Sequence, residues 1–159
     1  MGWDDLLKLA HLGIAFAFIT GLLGRWILLH RAARSDEVES AYGLAQAAGP
    51  FEKLVIQGGN LILPTGLLTA WAQGYPWLGL TTGWMLLSVV LLLSVIPLVP
   101  LVFLPRGRVF EAAMADARQR GAVTPELRAA FADPRVAFAH RYEVVAVWIV
   151  VVLMVLKPF

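Results

Sequence analysis

The sequence predicts an all-α membrane protein, a single domain over residues 1–159 built as a bundle of four transmembrane helices. Two observations carry this. The 159-residue chain is 59% hydrophobic and only 15% charged, with a mean hydropathy of +0.73, where soluble domains hold roughly 45–50% apolar residues. The apolar residues also gather in four long blocks instead of alternating with polar ones, as a chain solvated by hydrocarbon requires.

A spanning helix needs about 20 apolar residues at about 1.5 Å each. The first block, residues 6–29, reads LLKLAHLGIAFAFITGLLGRWILL. Its acidic flank (Asp4, Asp5), its length and the lack of a small-x-small site set it apart from a cleaved signal peptide. The second block covers 54–72. The third covers 77–104, where Pro97 and Pro100 should kink the helix or end it early. The fourth covers 135–157, with Asp133 as N-cap and Pro134 at the first helical position. Between the third and fourth, RVFEAAMADARQR is a good helix former ended by Gly121, and TPELRAAF carries Thr124 as a cap before Pro125. Two short helices lying along the inner membrane interface are expected there.

Lysine and arginine set the expected orientation. Segment 30–53 holds Arg31, Arg34 and Lys53, and segment 106–141 holds seven arginines from Arg106 to Arg141. The opposite side has only Lys8 and Lys157. The positive-inside rule then puts both termini outside and both long loops in the cytoplasm. This placement accounts for the net charge of +2 and the pI near 9.3 without an anionic partner. The Ala, Arg, Leu, Val and Gly bias points to a bacterial inner membrane.

Several chemistries are excluded. The chain has no cysteine, hence no disulfide, iron–sulfur cluster or thiolate metal site. It has no phosphate loop, no zinc motif, no Ser–His–Asp arrangement and no basic aromatic surface for nucleic acid.

Polar side chains inside the spans are the informative ones, because hydrocarbon tolerates them only against protein or water. At about 100° per residue, each span has one distinct stripe. His11, Phe18 and Arg25 share a face of the first. Lys53, Gln57, Asn60, Pro64 and Trp71 share one on the second, Thr81, Met85 and Ser88 on the third, and Glu143, Val150, Met154 and Lys157 on the fourth. The simplest arrangement turns all four stripes inward. Depth then sorts them into layers. His11, Trp71, Met85, Met154 and Lys157 lie at the outer side, while Arg25, His30, Glu52, Lys53, His140 and Glu143 lie at the inner side.

The outer layer has residue types suited to a heme or copper site. Imidazole is a common axial ligand to heme iron, and a Met thioether is the second ligand where the potential is raised. His11 with Met154 also suits Cu(I), and Lys157 can pair with a heme propionate. Each residue also has a plainer reading. An intramembrane His often bridges helices, Met85 and Met154 can serve as gap-filling packing residues, and His30 and His140 can meet headgroups. Glu143 is expected to pair with Arg25 or Lys53. Gly21, Gly24, Gly58, Gly59 and Gly66 should let helices approach closely, and Trp3, Trp26, Trp71 and Trp77 fit an interfacial belt.

The motifs LAHLG, PTGLLTAW and LMVLKP resemble an uncharacterised family of bacterial predicted integral membrane proteins, placed near copper-resistance protein D and the HemJ-type protoporphyrinogen oxidases. HemJ-type proteins are four-helix heme b proteins whose first helix carries an early His, a later Arg and a His just past its end. His11, Arg25 and His30 repeat that order. The resemblance thus implies a b-type heme, with Arg25 among the residues around it, and a heme-dependent oxidoreductase. The Tyr-Leu-Pro-Arg run of those oxidases is absent, which separates the chain from their activity more than from their cofactor. The leading expectation is a heme protein in electron transfer or redox chemistry, ligated by His11 with Met85 or Met154. A copper-handling or small-solute protein using the same residues is the second. A cofactor-free subunit, packed in the bilayer against other membrane proteins or copies of itself, is the third.

Overall fold

The computed structural model describes residues 2–158. Among these, the regular elements are all helical: α1 (Trp3–Ala32), α2 (Val38–Ala72), α3 (Gly83–Val95), α4 (Leu104–Arg120), α5 (Pro125–Phe131) and α6 (Pro134–Leu156). A 3-10 turn at Pro76–Gly79 and a π turn at Val99–Phe103 complete the chain. Four stretches are long and apolar enough to cross a membrane: Trp3–Ala32, Val38–Ala72, Gly83–Arg120 and Pro125–Leu156.

The boundary residues explain where helices stop. The Asp133 carboxylate accepts from the backbone N–H groups of Arg135 and Val136, and the Thr124 hydroxyl accepts from that of Leu127. Each cap precedes a proline at the first helical position, where the missing N–H costs nothing. Gly121 ends α4 at φ +67°, a backbone region that glycine enters freely.

Three elements differ from the sequence expectation: α2, the third span, whose helix begins at Gly83 instead of residue 77, and α4. The second helix begins at Val38 instead of residue 54 and runs for 35 residues, about 52 Å at 1.5 Å per residue. Its first third is alanine-rich, not apolar enough to register as a span, yet a good helix former. The prolines of the third span produce a kink, one of the two outcomes expected of them. Pro97 and Pro100 remove two backbone donors, but the helix rewinds instead of stopping. The Val99 N–H reaches the Ile96 carbonyl, and the Leu104 N–H reaches back five residues to Val99. The helix therefore bends through a π turn and continues as α4. The segment expected as a separate short interfacial helix is the extension of the third span, and only α5 is short.

The extensions of α2 and α4 form a small core of their own with α5. Val38, Ala41, Met114, Ala117 and Leu127 are buried there, joined by Tyr42, Phe110 and Phe131. Arg118 holds both carboxylate oxygens of Glu39 at 3.0 and 3.3 Å while lying 3.8 Å over the Tyr42 ring. Arg128 meets Asp36 at 2.9 Å.

Within the bundle, α1 and α2 lie almost backbone to backbone. A methyl group on Gly21 would sit 2.8 Å from the Phe51 carbonyl oxygen and 2.9 Å from the Val55 nitrogen, and one on Gly58 would sit 2.8 Å from Phe18 Cβ. Small residues permit this approach, which replaces the hydrophobic driving force missing in lipid. Phe18, Leu22, Val55 and Val147 close this contact against α6. Gly59 is looser, with ordinary contact at 3.6 Å to the Phe18 ring. Replacing Gly21 by Val should lower thermal stability in detergent, since such overpacking costs about 1–3 kcal/mol. Gly13→Val, at a position with nothing within 4 Å, should leave the melting temperature unchanged.

Candidate functional site

A cleft of about 390 Å³ lies between α1, α2, α3 and α6, at the end of the bundle where the described chain begins and ends. This is the size of a small-molecule site. Its walls are largely apolar, from Phe18, Ile62, Trp84, Val147 and their neighbours. His11, Met85, Met154 and Lys157 all line it, whereas Trp71, expected at the same depth, does not.

His11 is held by α2. Its Nδ1 lies 3.1 Å from the Thr65 hydroxyl oxygen. That hydroxyl already donates to the Leu61 carbonyl at 2.6 Å, so its proton is committed and its oxygen must accept. The imidazole proton therefore sits on Nδ1, and Nε2 keeps its lone pair. Among the described residues, Nε2 has no hydrogen-bond partner. The ring lies on Gly66, where an added methyl would come within 3.1 Å of His11 Cε1. Thr69 ties the same helix pair a turn further on, donating to the Thr65 carbonyl at 2.7 Å and lying 3.3 Å from the Leu7 carbonyl. Thr65 and Gly66 thus complete the site and were not singled out for it from the sequence. The signal was a hydroxyl at the depth of His11, followed by the smallest residue.

The two methionines differ in readiness. Met85 is buried, with its sulfur turned onto Gly79, where a side chain would overlap it. Met154 is half-buried in the cleft wall. Lys8 and Lys157 bring positive charge to the cleft, the Lys157 ammonium lying 5.7 Å from the centre of the Trp84 ring. Ser88 is fully buried, donating to the Trp84 carbonyl at 2.7 Å.

Other expected members lie elsewhere. Arg25 does not line the cleft; it pairs at 2.9 Å with Glu143, which is 2% exposed, and stacks 5.2 Å over Phe103. His140 joins this pair, its Nδ1 3.5 Å from both partners and its Nε2 buried without a hydrogen bond, so it is not the solvated headgroup contact expected. His30 stacks on Trp26 at 5.4 Å, and both are exposed. The α2 stripe is the clear correction. Lys53, Gln57, Asn60, Pro64 and Trp71 are all exposed, Trp71 at 65%. The opposite face of α2, through Gly58, Ile62, Gly66 and Thr69, is the buried one, because close approach to α1 selects the small residues over the polar ones.

Among the described residues, no three His, Cys, Asp or Glu side chains gather to hold a metal ion. The cleft offers instead a single imidazole lone pair, thioethers and two ammonium groups around an apolar space. That set suits a flat apolar cofactor that supplies its own metal donors and needs one or two from protein. A bare ion wants three or four.

The four long apolar helices define an integral membrane protein, and the cleft gives it a ligand-sized chamber within the bundle. The chain belongs to the family described as predicted integral membrane protein (DUF2269), whose model matches residues 5–158. No curated protein and no solved structure matches the chain.

The Arg25–Glu143 pair joins the first and last spans, and removing one partner of such a buried pair costs about 3–5 kcal/mol. Arg25→Ala and Glu143→Ala should each lower the melting temperature in detergent markedly. The double variant should lose clearly less than the sum of the two, which a double-mutant cycle reads directly.

Proposed function

We propose that this protein binds a b-type heme in the cleft, where His11 Nε2 would hold its iron. The site would lie in the outer half of a bacterial inner membrane, with both termini outside. Its role would be electron transfer or heme-linked redox chemistry. The observation behind this reading is the His11 imidazole, fixed by Thr65 in the tautomer that leaves Nε2 free beside an apolar space of ligand size. Imidazole ligands in metal sites are typically oriented by a hydrogen bond at the other ring nitrogen. The order His11, Arg25, His30 resembles that of HemJ-type heme proteins, and of these three His11 alone lines the cleft.

The other roles follow from the chain's own groups. Lys8 and Lys157 would pair with the propionate carboxylates, and the apolar walls would exclude water. Met154 is the better second ligand, since the Met85 sulfur is occupied in packing against Gly79. A thioether there would raise the potential relative to a second imidazole. Heme itself supplies a one-electron iron couple.

Protein purified from heme-replete cells should show a Soret band. His11→Ala should abolish or shift it. Thr65→Val should weaken heme binding by about 10- to 100-fold, because the Nδ1 proton loses its acceptor. A colourless preparation, or a spectrum indifferent to His11, overturns the proposal. Metal analysis finding copper without porphyrin would replace it with the copper-handling reading.

A further inference from the structure

We infer that the protein is a two-fold homodimer in the membrane, joined along the exposed face of α2 with Asn60 of one copy paired to Asn60 of the other. Lys53, Gln57, Asn60, Pro64, Leu68 and Trp71 form one continuous stripe along the helix, and all are exposed in the single chain. Lys53 is long enough to reach the headgroup level, and Trp71 suits an interface. Asn60 has no such escape. It lies near the middle of the spanning part of α2, and its side chain is too short to reach water. An amide left unpaired in hydrocarbon costs several kcal/mol.

The backbone makes the same spot more polar still. Pro64 lies inside α2 and has no N–H, so the Asn60 carbonyl lacks the donor that the fourth residue along a helix normally supplies. One short segment of this face therefore offers an amide with two donors and one acceptor, beside a backbone acceptor short of a donor.

These groups select the occupant. Copies inserted in the same orientation and related by an axis along the membrane normal meet at equal depth, so each group faces itself. A carboxylate or an ammonium at this depth would repel its twin. An amide pairs with its twin, donating to the other copy's side chain or freed carbonyl and accepting in return. Gln57 repeats the arrangement one turn away. Two-fold self-association is also the commonest symmetry of oligomers, and interhelical amide pairs are a recognised adhesive between spans.

The chain contains no cysteine, so single cysteines report the contact without background. Gln57→Cys and Leu68→Cys, each retaining Asn60, should form disulfide-linked dimers of twice the 17.4 kDa monomer mass when membranes are oxidised. Val90→Cys and Val152→Cys, on exposed faces of α3 and α6, should not. Adding Asn60→Leu to Leu68→Cys should cut the dimer yield about fivefold, while Asn60→Gln should largely preserve it. The inference fails if neither α2 cysteine cross-links or if all four positions do so equally. It fails too if the Leu68 cysteine links instead to a protein of different mass.

Discussion

Hydrocarbon offers no hydrogen bonds, and every polar group within these spans must find its partner in protein. The Arg25–Glu143 pair is where this constraint is met most completely. A guanidinium on the first span and a buried carboxylate on the last meet at 2.9 Å, their side chains 12% and 3% exposed. Neither charge could stay in place alone. The pair therefore closes the bundle from first helix to last at one depth, and the cleft opens where that closure is absent, toward the ends of α1 and α6. There Trp84 and Met85 pack with Ala70 of α2 and Leu153 of α6, and hydroxyls of Thr65 and Thr69 tie α2 to α1.

Much of the fold could be read from residues with one physical job. Asp133 before Pro134, Thr124 before Pro125 and glycine at 121 mark helix ends because each satisfies or avoids an orphaned backbone group. The apolar blocks marked the spans. The extension of α2 back to Val38 was illegible because its stabilisation is tertiary. Ala41 and Ala117 are small, unremarkable residues whose burial appears only once α4 packs against the start of α2 and α5. The π turn was illegible for a similar reason. Prolines announce lost donors, but not whether the chain will rewind around them.

The site was legible by depth and only partly by phase. Counting residues inward from the span ends grouped His11, Met85, Met154 and Lys157, which do share one cleft, with Trp71, which faces outward. Turning every polar stripe inward failed on α2, where two demands competed. The glycine face was needed for contact with α1, and the polar face lay on the other side of the same helix. Geometry within one chain could satisfy only the first. Thr65 escaped notice because a hydroxyl that bonds its own helix is usually silent, whereas here that bond leaves only its oxygen for His11.

Gly66 carries an implication for reading other members of this family. The imidazole of His11 rests close on α2 here, with an added methyl on Gly66 falling 3.1 Å from its Cε1. A branched side chain there would fill the space the ring occupies, whatever else the relative kept. Histidine at one position and a small residue at the other therefore form a two-letter signature, and a relative that keeps the first but carries a branched residue at the second has an imidazole without a seat.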